Sequence, residues 1–334
     1  MLSLGMLLLM LIVILVAAEV FTNALEHFGE RVGISEGVTG SLFAAVGTAL
    51  PETMVPLLAI FAGTANHQVN EEIGVGAILG APLMLATLSV FLMAMSVYRA
   101  RGMQGHLRPE HTGLTRDLNF FLVAFMFATL ALFVPHDLPL ARTVIGFVMV
   151  FIYFIYVMLT LRASAALVQE GHVTEADGQM FLARLGLPEN MFTIVLQLLL
   201  GLGLLVAGAK GFISGVEDAS HWLSISPLLL SLIVVPIATE LPEKVNSILW
   251  IRRGKDTLAF GNITGALVFQ GTLLPAIGIT LTPWLPEKHV FAGVVITLLA
   301  MLWLRFLVSR GGLRVWHFIP NGILYAIYLT LAFY

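Results

Sequence analysis

The sequence predicts an all-α polytopic membrane protein with ten transmembrane helices arranged as two inverted repeats of five. The hydropathy pattern, the placement of basic residues and an internal repeat each support this fold class. Hydrophobic residues make up 58% of the 334 residues and charged residues only 11%, whereas soluble domains carry roughly 25% charged residues. The chain contains no cysteine, which excludes disulfides, thiolate metal sites and cysteine nucleophiles.

Ten apolar segments are long enough to cross the hydrocarbon core of a bilayer as helices. They are residues 2–25, 34–62, 72–98, 117–135, 138–161, 190–216, 224–250, 257–282, 288–309 and 315–333. The first segment has no basic residue before Arg31, so we interpret it as a spanning helix rather than a cleavable signal. The longest polar stretch, residues 163–189, predicts a cytoplasmic linker between a first five-helix repeat (1–162) and a second one (190–334).

Basic residues segregate to one side of the membrane under this assignment. Of the 17 Lys and Arg residues, 13 lie in or beside the linkers of one side, only Arg142 and Lys288 lie near the linkers of the opposite side, and Lys210 and Lys244 fall deeper inside spans. Because cytoplasmic linkers are enriched in Lys and Arg, we expect both termini to face outward. The chain is compact and has no large regulatory loop, so we expect a multi-pass protein of a prokaryotic cytoplasmic (inner) membrane.

The second half of the chain repeats the first. Residues 17–52 align without a gap with residues 208–243, and both segments end in a T-x-L-P-E motif, at Thr48–Glu52 and at Thr239–Glu243. Because each half has an odd number of spans, the two repeats must enter the membrane from opposite sides. Inverted repeats with paired, broken helices are typical of secondary transporters, whose substrate sites lie where the breaks meet.

Each motif brings three kinds of oxygen to one level of the membrane. Its proline has no N–H and leaves the carbonyl four residues earlier without a helical partner, at Gly47 in the first repeat and Ala238 in the second. Its threonine and glutamate are four residues apart and share a helix face. These are Thr48 and Glu52 in the first repeat and Thr239 and Glu243 in the second. Such oxygens suit Na⁺, Ca²⁺ or a proton rather than a soft metal.

A purely structural role for the motifs is the alternative. The prolines would then be packing kinks, and each glutamate would be protonated and hydrogen-bonded to a neighbouring helix. A carboxylate in a span costs roughly 2.5–3.5 kcal/mol on insertion scales. Two such costs at matching positions of inverted repeats favour a functional site over two independent kinks.

With these motifs the chain resembles the Ca²⁺/cation antiporter superfamily, which includes the sodium/calcium exchangers, as a divergent member. That family has ten spans in two inverted halves, with a G-T-S-L-P-E-like motif on the second helix of each half and a G-N-x-x-G-S-N-like motif on the third. The resemblance covers essentially the whole chain. It implies alternating-access exchange, in which the first and sixth helices slide across the core. It also implies that Glu52 and Glu243 are cation ligands, that Thr48 and Thr239 line the site, and that Gly47 and Ala238 offer carbonyls.

The motifs depart from the family pattern in both repeats. The serine of the second-helix motif is Ala49 in the first repeat and Glu240 in the second. On the third helix, residues 76–82 lack the Asn, Ser and second Asn, whereas residues 261–267 keep Asn262 and both glycines. One turn further on, where the family usually has a polar ligand, the residues are Leu85 and Gln270. We therefore add Glu240 and Gln270 to the candidate metal ligands and treat Asn262 as an accessory candidate.

Lys244 is the second accessory candidate, and the sequence leaves two readings of it open. It follows Glu240 by four residues, the spacing and order of a favourable helical ion pair. If Lys244 pairs with Glu240, two carboxylates remain as ligands, one in each repeat. Otherwise its ammonium would act as a tethered cation in a sub-site that family members give to a metal ion.

The sequence and the resemblance together predict a secondary active cation antiporter that exports Ca²⁺ in exchange for Na⁺ or H⁺. The alternatives are exchange of another cation (Na⁺/H⁺ or another divalent ion) and a non-transporting sensor or scaffold on the same fold. We do not expect an enzyme, because the chain has no H-E-x-x-H motif and its nine His lie near linkers or helix ends. The expected partners are inorganic cations and the lipid bilayer, with no cofactor and no nucleic acid. The oligomeric state stays open, and a monomer is compatible with the sequence.

Overall fold

The computed structural model describes residues 2–32, 50–168 and 178–333. Helices account for nearly all of these residues. In the first part of the chain they are α1 (Leu2–Val32), α2 (Leu50–Ala62), α3 (His67–Met84), a π turn (Leu85–Ser89), α4 (Val90–Met95), α5 (Tyr98–Arg101), α6 (His111–Ala131) and α7 (Pro139–Val168). In the second part they are α8 (Phe181–Arg184), α9 (Met191–Leu223), α10 (Pro227–Thr239), α11 (Leu241–Arg252), α12 (Asp256–Leu281), α13 (Lys288–Ser309), a 3₁₀ turn (Val315–Phe318) and α14 (Ile319–Phe333).

The ten predicted spans correspond to ten apolar helical segments, which confirms the predicted fold class. Within the described ranges, eight segments are long and apolar enough to cross a membrane, and two shorter ones, Glu52–Ala62 and Pro227–Ile237, lie in the second and seventh predicted spans. The second span is described only from Leu50 onward. The seventh span is not one continuous helix, because α10 ends at Thr239 and α11 begins at Leu241.

The chain divides into two compact units. The first contains Met1–Asn70 and Val157–Ser224, and the second contains Glu71–Tyr156 and Ile225–Tyr334. This grouping reflects which helices pack together, whereas the proposed division at residues 163–189 separates two sequence repeats. Units defined by packing need not coincide with sequence repeats, and the repeat boundaries stay a prediction.

In the first unit, α1 and α9 pack closely as an antiparallel pair. A Cβ atom added to Gly201 would lie 3.0 Å from the Cα of Phe21, and one added to Gly208 would lie 3.0 Å from Cγ1 of Ile14. The contacts therefore move up the sequence along α9 and down the sequence along α1, so the two helices run in opposite directions. Small residues allow helix backbones to approach each other in membranes, where apolar burial alone does not drive association.

A buried amide network in the first unit fixes the segment that precedes α9. Gln197 donates from Nε2 to Oδ1 of Asn23 at 2.9 Å, and the same oxygen accepts the backbone N–H of Phe181 at 3.2 Å. The Oε1 atom of Gln197 accepts the backbone N–H of Leu182 at 2.9 Å. Because both amides are buried, the network holds α8 against α1 and α9 at a point where unpaired polar atoms would be costly.

In the second unit, α3 approaches the backbone of α10 through two glycines. A Cβ atom on Gly76 would lie 2.6 Å from the carbonyl oxygen of Leu228, and one on Gly80 would lie 2.7 Å from Cγ of Pro236 and would meet the carbonyl oxygen of Leu232. These are the two glycines of the third-helix motif. Their role in the first repeat is therefore close packing against the seventh span.

The π turn at Leu85–Ser89 interrupts the third span directly after α3. A π turn shifts the backbone hydrogen bonds by one residue, so carbonyl groups nearby need other partners. Asn321 of α14 is fully buried and donates from Nδ2 to the carbonyl oxygen of Ala86 at 2.8 Å. The irregularity is thus stabilised by a specific side chain from another span.

The linkers after the third, seventh and ninth spans meet at one end of the second unit. His106–Leu107 (β1) pairs antiparallel with Leu313–Arg314 (β2). Arg101 donates from both terminal nitrogens to the buried carboxylate of Asp256, at 2.8 Å each. This carboxylate also raises the pKa of the Arg101 guanidinium. The meeting of these linkers agrees with the span count, which places them on the same side of the membrane.

Arg142, one of the two basic residues assigned to the opposite side, caps the end of α12. Its buried guanidinium donates to the carbonyl oxygens of Ile279 at 2.6 Å and Thr282 at 2.8 Å. Cations are favourable at helix C-termini because the last carbonyls carry a partial negative charge. These contacts give Arg142 a structural role at the end of α12.

Candidate functional site

The helix break in the seventh span coincides with the T-x-L-P-E motif of the second repeat. Glu240 separates α10 from α11 with φ −83° and ψ 5°, and Pro242 lies in the first turn of α11. Because proline has no N–H, it cannot bond the carbonyl of Ala238 in the last turn of α10. The break therefore brings a helix C-terminus and a helix N-terminus together, with partial charges of opposite sign.

Two carboxylates are buried at this break. Glu240 is 0% exposed and Glu243 is 3% exposed, and each offers an oxygen that lies within 4.8 Å of one from the other. Gln270 of α12 donates from Nε2 to Oε1 of Glu240 at 2.6 Å. We call Glu240, Glu243 and Gln270 the carboxylate cluster.

Three oxygen atoms of the carboxylate cluster have no hydrogen-bond partner among the described residues. They are Oε2 of Glu240, Oε2 of Glu243 and Oε1 of Gln270, and all three are buried. Buried polar atoms are almost always satisfied, because an unpaired one loses its hydration without compensation. Carboxylate and amide oxygens are the ligands that hard cations prefer. The cluster therefore has the composition of a cation site, and its carboxylates are also able to take up protons.

Lys244 lies beside the cluster and is 8% exposed. Its ammonium donates to the carbonyl oxygen of Pro236, in α10, at 2.9 Å. The same nitrogen lies 2.9 Å from the sulfur of Met84, at the end of α3. The charged end of this side chain therefore reaches back across the break to the C-terminal part of α10.

The remaining second-repeat candidates have more structural contacts. Thr239 is buried and donates its hydroxyl to the carbonyl of Val235 at 3.1 Å, one turn earlier in α10. Asn262 donates from Nδ2 to the backbone carbonyl of Glu243 at 3.0 Å and to Oγ of Ser247 at 2.9 Å. Asn262 thus holds α11 against α12 at the glutamate, which makes it a positioning residue for Glu243.

The first-repeat candidates are only partly described. Glu52 lies in the first turn of α2 and is 3% exposed. Gly47 and Thr48, the other candidates of this motif, lie outside the described residues. Glu52 belongs to the first unit and the carboxylate cluster to the second.

Comparison with known proteins identifies the family. The sequence profile of the sodium/calcium exchanger protein family matches residues 2–162 and 193–334. The chain belongs to this family. A putative antiporter, CaxA of Alkalimonas amylolytica, is 25% identical over 282 residues, which cover 82% of this chain and 79% of the relative.

Solved structures of family members share the fold of this exchanger-family chain. An H⁺/Ca²⁺ exchanger, CAX, superimposes with a TM-score of 0.71 at 18% identity, over 99% of this chain and 82% of that one. A sodium-calcium exchanger, NCX_Mj, superimposes with a TM-score of 0.58 at 19% identity, over 98% and 97% of the two chains. The protein is thus a multi-pass membrane protein with the inverted-repeat fold of these exchangers, a family of secondary transporters.

The departures from the family motifs have structural counterparts in this exchanger-family chain. Leu85, in the position equivalent to Gln270, is fully buried in the π turn. The first repeat therefore places a packing residue where the second places an amide. Glu240 replaces the motif serine. Its Oε1 accepts the hydrogen bond from Gln270, and its Oε2 is buried without a partner among the described residues.

Sequence reasoning missed a second buried polar cluster in the second unit. Asp117 accepts the Thr264 hydroxyl at 2.7 Å and the Tyr156 hydroxyl at 3.2 Å, and Nε of Arg116 lies 3.7 Å from it. The only signal in the sequence was an aspartate at the first position of a predicted span. These contacts join α6, α7 and α12, which gives Asp117 a role in helix packing.

Proposed function

We propose that this family member is a secondary active antiporter that exports Ca²⁺ in exchange for Na⁺ or H⁺ by alternating access. The observation that carries the proposal is the set of three buried oxygens in the carboxylate cluster that have no hydrogen-bond partner in the part of the chain that the structure describes. Ca²⁺ takes six to eight oxygen ligands, so a buried group of carboxylate and amide oxygens suits it. The fold likeness to an H⁺/Ca²⁺ exchanger and to a sodium-calcium exchanger agrees with either counter-ion.

We further propose that Glu243 and its repeat counterpart Glu52 both ligate the transported cation, with Thr48, Thr239, Gln270 and the carbonyls of Gly47 and Ala238 as neutral ligands. Glu240 adds a third carboxylate. A carboxylate that holds a proton cannot bind the metal at the same time, so protons and Ca²⁺ compete for these groups. This competition supplies the coupling that an antiporter requires. The burial of Glu52 and Glu243 supports their shared role.

We also propose a location and topology that follow from charge placement. The chain would lie in the cytoplasmic membrane with both termini outside, and residues 163–189 would form a cytoplasmic linker between repeats 1–162 and 190–334. Cysteine variants introduced near each terminus, labelled with an impermeant thiol reagent in intact cells, test this. Labelling of neither terminus in intact cells, with labelling after lysis, contradicts the orientation.

The function is tested by ⁴⁵Ca²⁺ uptake into proteoliposomes under Na⁺ and H⁺ gradients imposed separately. We expect uptake under at least one gradient, and we expect Glu52→Gln and Glu243→Gln each to abolish it. Glu287→Gln is the matched control, because Glu287 is exposed at the start of α13. Absence of wild-type flux under both gradients would refute Ca²⁺ antiport. Flux that survives Glu243→Gln would refute the ligand assignment alone.

A further inference from the structure

The linkers at one end of the second unit line an open cleft of about 460 Å³. This volume lies within the roughly 300–1,000 Å³ of small-molecule sites. The lining comes from the linker after the third span and the linker after the seventh span. It consists of Arg101, Gly105, His106, Arg108, Gly254 and Asp256. We call it the linker cleft, and the cation ligands proposed above include none of its residues.

Hydrogen bonds between three linkers hold the linker cleft in shape. Arg101 donates from one terminal nitrogen to the carbonyl oxygen of Ile251 at 2.8 Å, in addition to its two bonds with Asp256. The backbone N–H of Val315 donates to the carbonyl oxygen of Gly105 at 3.1 Å, next to the pairing of β1 with β2. The concave surface is therefore built by contacts between distant parts of the chain rather than by a single turn.

The charge of the linker cleft is positive. Asp256 is the acidic residue of the lining, and both of its oxygens accept from Arg101, while Oδ2 also accepts the backbone N–H of Arg108 at 2.8 Å. Its negative charge is thus compensated within the protein. The same linkers expose the basic residues Arg99, Arg108, Arg252, Arg253, Lys255, Arg310 and Arg314. A clefted surface with this excess of positive charge fits an anion.

Aromatic side chains indicate that the linker cleft lies at the depth of the lipid headgroups. Tyr98 and Trp316 are exposed, and the backbone N–H of Trp316 donates to the carbonyl oxygen of Met103, two residues before Gly105 of the lining. Exposed Trp and Tyr side chains are enriched at the membrane–water interface. An anion bound at this depth is more readily supplied by a lipid than by the solution.

We propose that the linker cleft binds the phosphate headgroup of an anionic phospholipid. Arg108 lines the cleft, and Lys255 lies in sequence between the lining residues Gly254 and Asp256, so both supply positive charge to the phosphate. Arginine and lysine form charge-assisted hydrogen bonds with phosphate oxygens, and basic pockets between membrane helices recognise anionic headgroups in this way. Lipid binding here is independent of which cation the protein transports.

The competing explanation is that these basic residues only orient the chain in the membrane. Orientation requires Lys and Arg on one side but no particular arrangement of them. It therefore predicts that any two exposed arginines of that side attract anionic lipid equally. Binding in the linker cleft predicts instead that the residues of the cleft matter and that equally charged residues elsewhere do not.

The test measures tryptophan fluorescence of purified protein in phosphatidylcholine vesicles that contain either brominated phosphatidylglycerol or brominated phosphatidylcholine at equal mole fraction. Bromine quenches a nearby tryptophan, so stronger quenching by phosphatidylglycerol reports its enrichment there. We expect this excess quenching in the wild type and its reduction in Trp316→Phe. In the double variant Arg108→Gln with Lys255→Gln, the preference for phosphatidylglycerol should fall about fivefold for each charge removed.

The matched control is Arg31→Gln with Arg162→Gln, which removes two exposed arginines of the first unit on the same predicted side of the membrane. It should leave the preference unchanged. Both double variants keep the Arg101–Asp256 pair, and if the cleft variant is not monodisperse, Arg108→Gln alone takes its place with a fivefold loss expected.

Three results overturn the proposal. The first is equal quenching of the wild type by the two brominated lipids, and the second is an equal loss of preference in the two double variants. The third is suppression of the excess quenching by inorganic phosphate but not by chloride at equal ionic strength, which would assign the linker cleft to a free anion.

Discussion

Gln270 provides a direct test of the carboxylate cluster, because it contributes through one hydrogen bond and one oxygen. Its Nε2 donates to Oε1 of Glu240 at 2.6 Å, and its own Oε1 is buried without a partner among the described residues. In Gln270→Met, both contributions are lost at nearly constant side-chain volume. A hydrogen bond to a charged group contributes about 1.5–3 kcal/mol. If this free energy is lost from cation binding, the Ca²⁺ affinity falls roughly 10- to 100-fold.

The assay is equilibrium ⁴⁵Ca²⁺ binding together with the KM of ⁴⁵Ca²⁺ flux in proteoliposomes. We expect the dissociation constant and the KM of Gln270→Met to rise together. Gln104→Met is the matched control, because Gln104 is exposed and binds Arg314 in a linker. Wild-type binding and wild-type KM in Gln270→Met would show that Gln270 is not part of the cation site, and the assignment would fail.

Two further predictions concern stability. Gly80→Ala should destabilise the protein by about 1–3 kcal/mol, because the added Cβ would meet the Leu232 carbonyl. The control Gly265→Ala should leave the stability unchanged, because the nearest atom to its added Cβ is 3.7 Å away. Thermal unfolding in detergent compares the two variants. Glu110 caps α6, and the Gly113 N–H lowers the pKa of its carboxyl. Its contribution is therefore present above the unfolded pKa and lost as pH falls through the lower folded pKa. Glu110→Ala should cost about 0.5–1 kcal/mol at neutral pH, and a cost that persists at pH ~2 contradicts this reasoning.

The location of the spans and of the helix break was predictable because both depend on local sequence. Twenty or so apolar residues suffice to identify a spanning helix, and a proline beside a glutamate at depth marks an interruption. The seventh span shows this, because α10 and α11 separate at Glu240, inside the repeated motif. The pairing of Glu52 with Glu243 as ligands came from the repeat and from the family resemblance, and it stays a prediction.

Contacts between distant helices were not predictable from the sequence. Hydropathy identifies a span but does not state which of its faces meets which neighbour. Nothing in the sequence placed Met84 beside Lys244 or the side chain of Asn321 at the π turn. The sequence also left open whether Lys244 pairs with Glu240. The structure adds a contact of its ammonium with the Pro236 carbonyl, and the choice between pairing and a tethered cation stays a prediction.

The formal charges of the proposed ligands determine whether exchange of Ca²⁺ for protons moves net charge across the membrane. If Lys244 offsets Glu240, the ionised site keeps two negative charges, on Glu52 and Glu243. One Ca²⁺ neutralises both, and so do two protons. The Ca²⁺-loaded and doubly protonated forms then carry the same net charge, so exchange of one for the other moves no charge across the membrane. Proton-driven ⁴⁵Ca²⁺ flux should therefore be insensitive to a potassium diffusion potential set with valinomycin, and a flux that changes with this potential would show that the charge assignment is wrong.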